Sequence, residues 1–440
     1  MRRRLRKPVQ PPQIPNVAAG EFSSSALTDV RTTQKQNMRS FYKDPRIATL
    51  LFLTFLLKIA SYLAVPFMLV FLVQVKGVPL WVGGILVGLY QAGSVVTGMT
   101  CGILAQRFGS WTIMVGSIIL SAVVHFSFFV LAYLPLGHLV FIVAFGCLSV
   151  VCGVASALFW PISQAAMAEY ASPKTVPYLF GHRYFLVNLA AAIGPPLGAI
   201  AGAEAGAGGF LASGICYVVA GIVYLRLADG SMPARDVRYE RIDLNKLTQP
   251  FSNVQLKLVI LTTFCFLLGY SQISSNLSQT SLVSPTGGLS FAHLLAINGA
   301  TILICQPFLT PILVRFDHFR VITFGNALFL IACLVPVVLS PCTATALTFV
   351  VVASIAEIFV VPSGSVLIDD IAPANMRQAY FAVATLRNVG QVLGPPIGAA
   401  ALDKAGPVAL FSLMAASAIG AGLVATVLSS SGRHRDRPPV

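Results

Sequence analysis

Apolar residues along this chain gather into twelve blocks separated by short polar connections. The blocks fall at about 47–74, 81–105, 111–134, 138–168, 180–203, 207–227, 255–280, 290–314, 319–340, 343–368, 378–402 and 406–429. A hydrocarbon core about 30 Å thick is crossed by roughly 20 apolar residues in an α-helix. The pattern therefore predicts an all-α membrane protein with twelve transmembrane helices. Two longer polar stretches punctuate it. The expected organisation is a disordered, basic cytoplasmic tail at 1–46, a six-helix bundle at 47–227, a cytoplasmic linker at 228–254, a second six-helix bundle at 255–430 and a short cytoplasmic tail at 431–440.

Composition supports this picture. Of 440 residues, 56% are hydrophobic and 10% charged, whereas soluble domains carry about 25% charged residues. The formal charge of +14 would suit a nucleic-acid partner if it lay on one surface. With the amino tail in the cytoplasm, however, 25 of the 29 Lys and Arg fall on that side, Arg183 being counted with the connection before block five. Lys76 and Lys404 fall outside, and Lys58 and Arg387 lie within blocks. This is the positive-inside asymmetry. It places both termini in the cytoplasm, names the lipid bilayer as the partner and removes the case for nucleic acid. The expected location is the bacterial cytoplasmic (inner) membrane, with the protein a monomer. The amino tail lacks the apolar stretch of a secretory signal peptide.

The eight cysteines sit in or beside apolar blocks, without the spacing of a metal site. No GxxxxGK[ST] phosphate loop or GxSxG elbow occurs. The chain is therefore read as a non-enzyme with no cofactor and no metal.

The two halves repeat one another. Glu169 and Asp369 are each followed four residues later by proline, Asn188 matches Asn388, and GPPLG at 194–198 matches GPPIG at 394–398, all at an offset of 200. A weaker echo pairs "ILAQRFG" (103–109) with "ILVRFDH" (312–318), matching Arg107 to Arg315. Parallel repeats of six helices are the build of alternating-access transporters.

Over about 47–430 the chain resembles the major facilitator superfamily, most closely its twelve-helix drug- and sugar-efflux branches. "GILAQRFGSW" (102–111) resembles the motif that family carries between helices 2 and 3. Gly102, Arg107 and Gly109 match, while Gln106 replaces its Asp. "YLFGHRYFLVNLAAAIGPPLGA" (178–199) is similar to the family's helix 5 antiporter motif, which implies export. The Arg often found in helix 4 of proton-coupled drug exporters is absent, its place falling at Ser149. The resemblance implies a central cavity lined by helices 1, 4, 7 and 10.

Charges in the bilayer centre cost roughly 2.5–3.5 kcal/mol on insertion scales, so each is a functional candidate. Lys58, Glu357 and Arg387 fall near mid-depth. Glu357, the sole carboxylate there, is either a proton carrier or the fixed partner of Arg387. Lys58 and Arg387 against one acid favour an anionic solute, unless Lys58 snorkels into water. Gln272, Asn276 and Gln279 share one face of the seventh predicted helix, as ligands for a solute or as glue between helices. Tyr62 and Gln91 are further binding candidates, and His125 is read as packed.

Arg107 with Glu169, and Arg315 with Asp369, are candidate latches of a cytoplasmic gate. The alternative is ordinary positive-inside charge beside a stray acid. Gly194, Pro195, Pro196 and Gly394, Pro395, Pro396 are read as matching helix bends where the two halves meet.

The expected function is proton-gradient-driven efflux of a small organic solute, anionic or polyhydroxylated, or of a drug. Uptake of an anionic nutrient or metallophore on the same scaffold, and a non-transporting membrane sensor or assembly factor, are the alternatives.

Overall fold

Inside a bilayer every backbone N–H and C=O needs a partner within the protein, and runs of Leu, Val, Phe and Ala without neighbouring strands meet that need as helices. The structure, a computed structural model, describes residues 44–171, 175–227, 249–280, 282–283, 289–313, 315–373 and 376–432, and all regular elements among them are helical. Apart from their edges, both tails and the central linker lie outside the described residues.

The first half comprises α1 (Pro45–Ala64), α2 (Leu80–Phe108), α3 (Ser110–Tyr133), α4 (His138–Tyr170), α5 (Val176–Ile200) and α6 (Gly208–Leu227). Asp44 starts α1. Its carboxylate accepts from the Arg46 backbone N–H at 2.9 Å and from Arg46 Nε and Nη2 at 3.0 and 2.8 Å. These side-chain bonds from Arg46 hold the Asp44 carboxyl below the usual carboxylate range. Beyond Ala64 the chain continues through a tight turn at Val65–Phe67 and a π-helical turn at Phe71–Val75, making one 31-residue span, Pro45–Val75.

The second half comprises α7 (Val254–Tyr270), α8 (Phe291–Leu313), α9 (His318–Val338) and α10 (Thr343–Ile371). It continues with α11, which starts at Arg377–Ala384 and passes through a 3-10 turn at Thr385–Asn388. The helical run Val389–Gly432 is broken at Gly406 (φ 74°, ψ −173°), so α11 ends there and α12 covers 407–432. A left-handed φ of this kind is open to glycine at little cost.

Among the described residues, nine stretches are long and apolar enough to cross a membrane, the last holding both α11 and α12. Helix α7 is apolar but only 17 residues long, and α5 is not among the nine.

The largest departure from expectation is at α7, which stops at Tyr270 rather than near 280. Past that point Ser271, Ser275, Ser278 and Thr280 hydroxyls bond to carbonyls three or four residues back. Such local bonds compete with the helix ladder.

Each half has its own apolar clusters. In the first, Leu50, Met114, Phe159 and Tyr224 belong to one, and Phe71, Phe128, Phe145 and Phe210 to another. In the second, Phe266, Phe329, Phe349 and Phe411 pack together. Helices alternate in direction, so residues near 67, 204, 279 and 291 share the end remote from the chain termini. There Phe67 meets Phe291 edge-on at 5.8 Å, Gln74 donates to Gln279 at 3.3 Å, and Glu204 accepts from the Ala292 N–H at 2.9 Å.

Helical backbone continues through both Gly-Pro-Pro phrases. Pro195 and Pro196 lie inside unbroken α5, and in α11 the irregular turn comes earlier, at 385–388. Each proline lacks an N–H and leaves a carbonyl four residues back without its helical donor. Pro396 frees Val392 in this way, and a Cβ on Gly88 of α2 would lie 2.7 Å from that carbonyl oxygen. Pro195 and Pro196 free Ala191 and Ala192, and a Cβ on Gly299 of α8 would lie 2.6 Å from Ala192 N. A glycine of the opposite half thus abuts the proline-freed peptides in both repeats. Gly194 and Gly394 face inward, against Tyr62 of α1 and Leu268 of α7, each within its own half.

Candidate functional site

Between the halves lies a cavity of about 500 Å³, lined from α1 to α6 on one wall and from α7, α8, α10 and α11 on the other. Its walls are chemically different.

The first wall is cationic. Lys58 of α1 places Nζ 4.0 Å from the ring centre of Trp160 on α4, and the Arg183 guanidinium of α5 lies 4.8 Å from the same ring. Arg183 is only 8% exposed. Positive charge over an indole face is held by the ring quadrupole.

The second wall carries the acid. Glu357 of α10 accepts from the Tyr270 hydroxyl at 2.5 Å. Tyr270 in turn accepts from Asn298 Nδ2 at 2.7 Å, and Asn298 donates to Ser354 at 2.8 Å. Tyr270 is fixed by stacking on Phe266 at 5.2 Å. Among the described residues the ion pairs are Arg46–Asp44 and Arg377–Asp369, so Glu357 has no cationic partner. The fixed Glu357–Arg387 pair is therefore not formed. Arg387 lines the cavity but its guanidinium donates to Ser365 at 3.4 Å, about two turns along α10 from Glu357. Serine, lying two turns along α10, takes the bond because Arg387 sits in the 3-10 turn, closer to that end of the helix.

Lys58, Tyr62, Gln91, Glu357 and Arg387 all border this cavity, as does Asn188. The polar trio after α7 does not. Gln272 and Asn276 are buried against α11, where Asn276 Nδ2 donates to Gln272 Oε1 at 2.6 Å and to the Pro395 carbonyl at 2.9 Å. Gln279 lies at the remote end on Gln74. In this arrangement none of the three borders the cavity, and the helix that would have aligned them ends at Tyr270.

At the termini end, Asp369 pairs with Arg377 of the following helix at 3.1 Å rather than with Arg315. Arg107 and Glu169 are both exposed, and no ion pair joins them among the described residues. Water competes for exposed charges, and a surface pair is worth only about 0–1 kcal/mol. His125 is buried, with Nδ1 2.7 Å from the Ser121 carbonyl and its ring 4.9 Å from Tyr217, a packed position as expected.

Four residues of the site escaped the sequence reading. Arg183 was counted among loop charges although it lies inside an apolar block, five residues before Asn188. Tyr270 is not on the helical face that Gln272, Asn276 and Gln279 define in the sequence. Asn298, an amide amid "LLAINGATIL", and Trp160, beside Pro161, carried visible but unused signals.

The chain matches the family described as Major Facilitator Superfamily over residues 50–386, with an overlapping match over 259–439. It is 24% identical over 367 residues to an uncharacterized MFS-type transporter, YqjV, of Bacillus subtilis, covering 81% of this chain and 87% of that one. It is also 24% identical over 382 residues to a Na(+), Li(+), K(+)/H(+) antiporter of Planococcus maritimus, covering 78% and 86%. In fold it is similar to a POT family transporter crystallised with 5-aminolevulinic acid (TM-score 0.72, 13% identity, 89% and 96% covered). The nucleoside transporter NupG, in a mutant form, is similar to nearly the same degree (TM-score 0.70, 13% identity, 88% and 99% covered).

Proposed function

This chain belongs to the Major Facilitator Superfamily, and from that premise we propose that it exchanges protons for small organic anions by alternating access, in the direction of efflux. It is an integral membrane transport protein and not an enzyme. The finer reading rests on one observation above the others: Glu357 borders the cavity, half-buried and, among the described residues, without a cationic partner, its carboxylate held by the Tyr270 hydroxyl. A carboxylate in a permanent ion pair has little reason to change protonation, whereas one held by a neutral hydroxyl can accept a proton and lose only part of its support. Proton arrival at Glu357 alters the charge balance of the cavity, and binding that differs between the two facing states shifts the population between them.

The choice of an anion follows from the lining. Lys58 and Arg387, with Arg183 behind Trp160, face a single acid. The antiporter relative exchanges alkali cations for protons, but three cations to one carboxylate is a poor setting for a metal ion. Efflux is supported by the helix 5 Gly-Pro-Pro phrase and by that relative's being an antiporter.

The test uses purified full-length protein in liposomes that enclose a pH-sensitive dye. Potassium salts of succinate, benzenesulfonate and methylphosphonate are added to one series, and sodium, lithium and potassium chloride to another, with protein-free liposomes as the blank for each. At least one organic anion should drive proton movement, and Glu357→Gln should abolish it. Proton movement with the alkali chlorides that the potassium salts of the organic anions do not exceed at equal potassium would replace the anion reading by cation exchange.

A further inference from the structure

We propose that Arg183, Lys58 and Trp160 form a carboxylate subsite on the first wall, so that solute anion and coupled proton are held in different halves of the protein. The proposal rests on the transport reading above and narrows it to carboxylates.

The guanidinium of Arg183 has two buried nitrogens, Nε and Nη2, with no hydrogen-bond partner. Those two N–H groups lie on one edge of the planar group and point the same way, the geometry that matches both oxygens of a carboxylate. The chain itself shows that edge in use, because Arg46 presents Nε and Nη2 to the two oxygens of Asp44. A buried charged donor left unbonded costs more than a neutral one, so a fold that keeps this edge unbonded is suited to an anionic partner.

No side chain in the first half supplies that partner. Its described acids are Asp44, occupied by Arg46, exposed Glu169, and Glu204, which accepts from Ala292. Trp160 supplies only its face. The cation–π contact offsets part of the desolvation of Arg183 and Lys58, and it offers the Nε and Nη2 hydrogens no acceptor.

Trp160 borders the cavity and its indole contacts both cations. An incoming carboxylate reaches the Arg183 edge by displacing the indole, with Lys58 Nζ as the second donor. Pro161 immediately follows in α4 and removes one backbone hydrogen bond there, which eases local adjustment of the Trp160 turn.

The chain has three tryptophans. Trp81 and Trp111 are 49% and 38% exposed and can be changed to Phe, leaving Trp160 as the sole emitter. In nanodiscs and with no proton gradient, this protein is titrated with potassium acetate, succinate and benzoate, with potassium chloride as the ionic-strength control. At least one carboxylate should change Trp160 emission saturably while chloride does not. Arg183→Lys, which keeps the charge and loses the two-donor edge, should weaken that binding at least fivefold. Thermal stabilisation of the otherwise unaltered chain by the same salts, repeated in Lys58→Gln, gives a second reading independent of the tryptophan changes, and it should fall too. No saturable response to any of the three salts, or less than a fivefold effect of Arg183→Lys, overturns the subsite. A failed titration alongside Glu357-dependent proton movement removes the subsite alone. A successful titration with proton movement indifferent to Glu357→Gln removes the proton reading alone.

Discussion

The carboxylate of Glu204 accepts a hydrogen bond from the backbone N–H of Ala292 at 2.9 Å, across the boundary between the two halves. Ala292 is in the first turn of α8, where N–H groups have no partner within the helix and the macrodipole favours a negative charge. A residue of one half therefore caps a helix of the other, and the bond exists only while the remote end is closed. Removing a cap costs about 0.5–2 kcal/mol, which corresponds to a shift of roughly 2- to 30-fold toward opening of that end. Glu204→Ala should raise the labelling rate of a cysteine placed at buried Ser278 by a membrane-impermeant maleimide by that factor, relative to the same cysteine with Glu204 intact. Equal labelling rates would mean that the bond carries no part of the closure.

A second prediction concerns Tyr270. Tyr270→Phe keeps the stacking on Phe266 and Phe329 but removes the donor to Glu357 and the acceptor for Asn298. Asn298 retains Ser354, so the main loss falls on Glu357. An unsatisfied buried polar group costs about 1–3 kcal/mol. The variant should melt at a lower temperature than the parent, and the deficit should shrink in Tyr270→Phe combined with Glu357→Leu. Equal deficits with and without Glu357 would show that the bond is not what the hydroxyl supports.

Much of the fold was legible in the sequence because twelve apolar blocks and a 200-residue repeat are long-range signals that survive errors at any one position. The site was legible only where a charge stood alone in an apolar block, as with Lys58, Glu357 and Arg387. Arg183 was hidden by its place near a block's end, where snorkelling or a loop explains a basic residue equally well. Gln272, Asn276 and Gln279 misled for the opposite reason. A helical period was laid on a segment whose serines bond their own backbone, so the face they were thought to share does not form. The Gly-Pro-Pro phrases lie where the halves come close, but the partner glycines, Gly88 and Gly299, are recognisable only once the freed carbonyls are placed in space.

The bond from Asn276 to the Pro395 carbonyl gives a third prediction. Asn276→Ala removes the donor to the Pro395 carbonyl, which is buried between α7 and α11. Stability should fall by about 1–3 kcal/mol, the cost of an unmade buried bond. Half-saturating concentrations for any transported anion should stay within about twofold of the parent. A large change in apparent affinity with unchanged melting would return Asn276 to the binding site.

The proline-freed carbonyls supply the last test. A methyl group on Gly88 would lie 2.7 Å from the Val392 oxygen, and one on Gly299 would lie 2.6 Å from Ala192 N, both against rigid backbone of the other half. Neither contact has a flexible side chain that can give way, so the helices must separate. Gly98, on the same helix as Gly88, has nothing within 4 Å of where its Cβ would be. Alanine there should instead stabilise α2 by roughly 0.5–1 kcal/mol, since glycine is the poorer helix former. Gly88→Ala and Gly299→Ala should each destabilise by about 1–3 kcal/mol, the usual cost of overpacking. Because the two sites lie on different seams, their effects should add within about 0.5 kcal/mol. Thermal unfolding of the three single variants and the Gly88/Gly299 double variant in one detergent measures all of these. If Gly88→Ala behaves like Gly98→Ala, the close approach of α2 to α11 is not a fixed feature of the folded protein.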